Sequence, residues 1–117
     1  MKEKHSTEDT IKALTDFREK RNWKQFHNPK DLALALSVEA SELLEIFSWK
    51  HSDEIQEFSK KNAKEIEEEL ADVLTYAYFM CDRLGVDPAD IVMKKLKKTQ
   101  EKYPEDSSRD VSSNKYQ

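Results

Sequence analysis

The chain has 117 residues, 37% of them hydrophobic and 38% charged, with a net charge of −4. That length suits one domain with a real core and is too short for two. The acidic balance argues against a general nucleic-acid-binding surface, and one Gly with three Pro disfavours an all-β fold. No apolar run reaches transmembrane length, and MKEKHSTEDT lacks an apolar signal core, so a cytoplasmic protein without membrane association is expected. The single cysteine, Cys81, excludes an intramolecular disulfide and lies in an apolar run, where a buried, inert thiol is expected.

The apolar residues cluster at helical spacing, which predicts an all-α fold. Thr7 is placed to cap a first helix, with Glu8 and Asp9 in its first turn. Ile11, Leu14 and Phe17 follow, to about Arg21. Asn28–Pro29 then pairs a cap with a proline at the first helical position and starts a second helix, to about Lys50. Its core, LALALSVEASELLEIFSWK, is apolar on nearly every face and is expected to be buried. Residues 51–62 are polar and read as a connection with a short helical turn near Ile55 and Phe58. Asn62 and Glu65 suggest a capping box for a third helix that runs to about Arg83, with Gly85 past its end. Asp87–Pro88 opens a fourth helix, which Pro104 ends. Its apolar face carries Ile91, Val92 and Leu96, and its basic face Lys94, Lys95, Lys97, Lys98 and Lys102.

These elements predict one four-helix bundle domain over residues 1–104 and a polar tail over 105–117. Two helices that are apolar all round exceed what one small bundle can bury, so self-association is expected.

Chemistry enters where charge sits among apolar residues. Glu39 and Glu42 lie three apart within the second helix, and Glu69 and Asp72 lie three apart within the third. That spacing places each pair on one helix face. Antiparallel packing would bring four carboxylates together, raising their pKa values unless a cation joins them. Oxygen-only ligands select a hard ion, Mg²⁺ with Mn²⁺ as substitute. None of His5, His27 and His51 stands three after an acid in these helices, which sets aside a Glu-x-x-His di-iron site. Mg²⁺ held by a few carboxylates completes its shell with water and phosphate oxygens, so phosphate-ester hydrolysis is the expected chemistry. In a chain with 24 acidic residues, two such pairs also arise by chance on solvated faces. Glu45, Glu65, Glu67 and Glu68 read as more exposed, with Glu45 near enough to join a second ion.

The segments NWKQFHNPKDLALALSVEASELLEIFSWK, EEELADVLTYAYFM and KKTQEKYP together resemble the MazG-like all-α nucleotide pyrophosphohydrolases, most of all their dCTP pyrophosphatase branch. The resemblance covers about residues 8–104 and extends to the ending SSNKY. Its specificity lies in the ordered combination of WxxFHxP, E-x-x-E with F-x-W-K behind it, and E-x-x-D. It implies Mg²⁺-dependent cleavage of a nucleoside triphosphate to monophosphate and pyrophosphate, with Glu39, Glu42, Glu69 and Asp72 as metal ligands. It implies that Trp23 and Trp49 embrace the base, with His27 and Tyr76 near it, and among the lysines of the fourth helix Lys95 is the expected phosphate contact. It also implies a homotetramer built as a dimer of dimers, with each site drawn from more than one chain. Thr99 stands where relatives often carry Asn, Val38 where some carry a further acid, and Leu14 where some dCTP enzymes carry a pocket histidine. Val38 is shared with the dCTP branch and supports that assignment, Thr99 bears on phosphate or sugar contacts, and because of Leu14 strict cytosine selectivity does not follow. From the residues alone, Trp23 and Trp49 also fit core or interface packing, His27 a capping role, Tyr76 the core, and the lysines a solvated face. A broad NTP or dUTP-type hydrolase and a non-catalytic helical oligomerisation or nucleotide-binding module remain the competing functions.

Overall fold

The computed structural model describes residues 4–105 and divides after Gly85 into two compact units. The described residues are helical, without strands. They form α1 (Thr7–Lys20), a 3-10 turn (Lys24–Phe26), α2 (Pro29–Phe47), α3 (Ile55–Lys61), α4 (Ala63–Leu84) and α5 (Pro88–Lys102). The four long helices lie where the periodicity places them. The connection over 51–62 contains more order than a single turn, since it holds the seven-residue α3, in which Ile55 and Phe58 are half-buried.

Helix starts follow the caps, with two corrections. Asn28 and Asp87 each accept a hydrogen bond from the backbone N–H three residues on, and Pro29 and Pro88 open their helices. The first helix is capped by Ser6, whose Oγ accepts from the Asp9 N–H at 3.0 Å, and Thr7 is the first helical residue. The expected Asn62–Glu65 capping box is absent. Asn62 instead turns its Nδ2 back to the Phe58 carbonyl, closing α3 at 2.9 Å. Gly85 adopts φ 67° and ends α4, a left-handed position that suits glycine.

In the first unit α4 is the central element, contacted by α1, α2 and α3. Leu32, Phe79 and Cys81 are its buried hydrophobic residues. The expectation of a buried α2 does not hold within one chain. Leu34, Val38 and Leu44 are exposed, as are Leu70 and Leu74 of α4. A helix that is apolar all round needs neighbours on every side, and a single chain supplies them on only part of its circumference.

The core also contains Arg18, 2% exposed. It occupies the helical position after Ile11 and Leu14 that a hydrophobic residue would normally fill. Its Nη2 donates to Asp82 Oδ2 at 2.8 Å and to Glu19 Oε1 at 3.1 Å, and its guanidinium lies 5.6 Å from the Phe79 ring centroid. The pair ties α1 to the end of α4.

The second unit is built on α5. Asp90 and Lys94 form an i,i+4 ion pair at 3.0 Å on this helix.

Candidate functional site

The two acid pairs meet where α2 lies against α4. Glu39, Glu69 and Asp72 each offer a carboxylate oxygen, and the three oxygens lie within 4.8 Å of one another. Glu39 and Glu69 are half-buried, and each keeps its Oε2 out of solvent without a hydrogen-bond partner. Glu42 is exposed. It borders a cavity of about 320 Å³ with Glu45, Ile46, Glu65 and Glu69. Glu45 and Glu65, read from the sequence as exposed, are exposed and yet line this cavity.

Crowding sets the electrostatics. Burial pushes the Glu39 carboxyl up to about 7, helped by a hydrogen bond shared with Glu42 and by the charges of Glu42, Asp72 and Glu69. Burial also raises Glu69, with the charges of Glu42 and Asp72 next. Acids three apart on each helix cannot separate, because the helix fixes their face, and the packing of α2 on α4 fixes the distance between pairs. Buried carboxylate oxygens without donors fit a cation. The oxygen-only donor set fits a hard divalent ion better than a transition metal that favours nitrogen or sulfur.

The aromatic residues are placed by two chain reversals. At the end of α1 the Trp23 N–H donates to the Arg18 carbonyl at 3.1 Å and the Asn22 N–H to the Glu19 carbonyl at 3.0 Å. Asn22 has φ 54°, so this is a Schellman closure with asparagine at the left-handed position. Trp23 then packs edge-on against Phe17, with centroids 5.5 Å apart, and the Arg21 guanidinium covers Phe17 at 3.7 Å. At the end of α2, Ser48 has φ −58° and ψ 139°, Trp49 has φ 70°, and the Lys50 N–H donates to the Phe47 carbonyl at 3.1 Å. This is a type II turn, whose third position favours glycine. A tryptophan there costs about 1–2 kcal/mol. The turn ends α2 three residues before Lys50 and leaves Trp49 97% exposed.

His27 closes the 3-10 turn, with its ring 4.7 Å from that of Phe79. Its Nδ1 is buried without a partner, and burial followed by the charges of Arg18 and Arg83 holds its pKa below the usual histidine value. Tyr76 meets the same Phe79 ring at 6.2 Å. His27 and Tyr76 thus share one aromatic neighbour, while Trp23 packs on Phe17 and Trp49 faces outward. Lys95 belongs to the second unit, where it borders a groove of about 420 Å³ with Ile91, Val92, Leu96 and Thr99. Sequence reasoning passed over Arg18, although its place in the apolar series of α1 was a readable signal. Phe58 was read only as part of a short helical turn, and its contacts with Phe47 and Lys50 were not legible in sequence.

The chain as a whole has relatives among known proteins. A model of the MazG-like family matches residues 34–117. The chain belongs to the MazG-like family. Among curated proteins, it is 38% identical over 111 residues to dCTP pyrophosphatase 1 of Homo sapiens, covering 93% of this chain and 65% of that protein. It is 38% identical over 104 residues to dCTP pyrophosphatase 1 of Mus musculus, covering 87% and 61%. The chain therefore spans about three fifths of the length of these relatives. A crystal structure of a pyrophosphatase from Archaeoglobus fulgidus superposes with a TM-score of 0.82 at 42% identity, covering 89% of this chain and 97% of that one. These likenesses agree with the resemblance drawn from the acid pairs and the tryptophan motifs. No helix among the described residues of this MazG-like chain is long and apolar enough to cross a membrane.

Proposed function

We propose that this MazG-like protein is a Mg²⁺-dependent nucleoside triphosphate pyrophosphohydrolase that converts dCTP or a modified dCTP to the monophosphate and pyrophosphate, cleansing the cytoplasmic nucleotide pool. The observation that carries the reading is the acid cluster, with two buried carboxylate oxygens lacking donors and a third acid within 4.8 Å. The dCTP pyrophosphatase relatives supply the substrate class.

In this reading Glu39, Glu42, Glu69 and Asp72 hold the metal. A divalent ion there supplies charge to the phosphate oxygens and lowers the pKa of water. Glu42 is exposed and lines the cavity beside Glu69, and a carboxylate oxygen of the cluster left free by the metal would take the proton of the attacking water. The water oxygen bonds to phosphorus, the bridging P–O bond breaks, and the electron pair leaves with pyrophosphate. Trp23 and Trp49 offer faces on which a base stacks. His27 and Tyr76 supply polar atoms for the substrate. The exposed apolar residues Leu34, Val38, Leu44, Leu70 and Leu74 support assembly into a homo-oligomer, a dimer of dimers.

The test is incubation with Mg²⁺ and a panel of deoxy- and ribonucleoside triphosphates, with pyrophosphate as readout. Preferential release from dCTP is expected. Equal rates across bases favour the broad hydrolase, consistent with Leu14 at the pocket histidine position. No release from any nucleotide refutes the reading and leaves the non-catalytic module.

A further inference from the structure

The turn after α2 contains a structural contradiction. Trp49 adopts a left-handed conformation that a bulky side chain disfavours, and its indole is 97% exposed, so no packing of the ring within this chain offsets the strain. Something else must hold the backbone there. The neighbours supply it. Lys50 Nζ lies 4.7 Å from the Phe58 ring centroid, and Phe58 stands edge-on to Phe47 with centroids 5.9 Å apart. Phe47 and Lys50 are the first and last residues of the turn. One α3 ring therefore grips both ends, while the residue between them that carries the strain points outward. Just beyond, the His51 N–H donates to Glu54 Oε1 at 3.0 Å and fixes the chain as it enters α3.

We propose that Lys50, through its cation–π contact with Phe58, is a positioning residue that holds the strained Trp49 turn closed and so presents the indole as a rigid platform for the nucleobase. This rests on the pyrophosphohydrolase reading and adds a residue to it. A platform that is already ordered does not have to be immobilised when the base arrives, so the contact favours binding of the base. In this role Lys50 acts on the base only through the turn. The contact acts on recognition and leaves the chemistry at the acid cluster untouched.

The full-length protein tests this with Lys50→Ala and Lys50→Met, which remove the cation, and Lys50→Arg, which restores it. With dCTP and Mg²⁺, the first two should raise KM about tenfold with kcat within about twofold of the parent, and Lys50→Arg should return KM towards the parent value. An unchanged KM, or a loss confined to kcat, overturns the proposal. A second measurement does not depend on turnover. The chain has two tryptophans, so Trp23→Phe leaves Trp49 as the sole fluorophore. Lys50→Ala in that background should lower the fluorescence anisotropy of Trp49. Unchanged anisotropy overturns the clamp, and lowered anisotropy with an unchanged KM overturns its role in base recognition. If the parent hydrolyses no nucleotide, the pyrophosphohydrolase reading falls and the base-platform role falls with it, while the anisotropy still decides whether Lys50 holds the turn.

Discussion

Glu39 on α2 and Glu69 on α4 offer oxygens within 4.8 Å of each other, and each keeps its Oε2 buried with no hydrogen-bond partner. Two carboxyls in that relationship are stable together only if they share protons or a cation. Burial and the neighbouring acids favour the protonated form of Glu39, and a bound cation would replace that proton.

The pH dependence follows from Glu39. Its pKa rises from 4.5 to about 7 in the folded chain, so the folded state binds the proton more tightly than the unfolded one. That contribution is fully present below about 4.5 and is lost as pH rises through about 7. In a chelator, the melting temperature should therefore fall between pH 5 and pH 8, and Glu39→Gln should flatten the fall. Thermal melts across pH with EDTA check this. Adding Mg²⁺ or Mn²⁺ should restore stability chiefly above pH 7, where Glu39 gives up its proton, and less at pH 5.

Glu42→Gln and Asp72→Asn should each reduce kcat by about 10²-fold or more while the oligomer persists. Size-exclusion chromatography beside pyrophosphate release separates loss of chemistry from loss of assembly. Retained activity in both variants removes the metal-site assignment.

The Arg18–Asp82 pair makes a separate prediction for stability. Asp82→Ala leaves a buried guanidinium with only Glu19 beside it and should destabilise the fold by about 3 kcal/mol. Arg18→Met removes the charge while keeping an unbranched side chain, and should cost less. Urea denaturation of the two variants gives the comparison. The reverse order would mean that Arg18 acts mainly by filling space.

Trp49→Gly should relieve the left-handed strain and stabilise the protein by about 1 kcal/mol, while weakening nucleotide binding. A stability gain paired with an affinity loss is the signature of strain held for function. Calorimetry and nucleotide titration on the same preparation read both sides.

His27 should titrate below its ordinary value of 6.5, since burial and the charges of Arg18 and Arg83 oppose its protonation. A lowered histidine pKa makes its contribution present above about 6.5 and lost as pH falls below it. Proton NMR of the ring resonances gives the midpoint directly.

Much of this was written locally in the chain. Asn28–Pro29, Asp87–Pro88 and Gly85 mark helix ends through interactions spanning only a few residues, so they were legible without a partner segment. The i,i+3 spacing of Glu39 with Glu42 and of Glu69 with Asp72 fixes each pair on one face of its helix. The errors were also local. Ser6 outcompeted Thr7 as a cap because the two hydroxyl residues are adjacent, and Asn62 used its amide to close α3 instead of opening α4.

What the sequence determined by itself was the all-α class and the two acid pairs, because helical spacing and capping depend on neighbours along the chain. What only the tertiary structure decided was contact between distant residues. It brought Glu39 against Glu69, set Arg18 on Asp82, and placed Phe58 across both ends of the Trp49 turn. Those relationships depend on how α1, α2 and α3 lie against α4. Helix periodicity says which face is apolar, and only packing says which residue of another helix that face will meet.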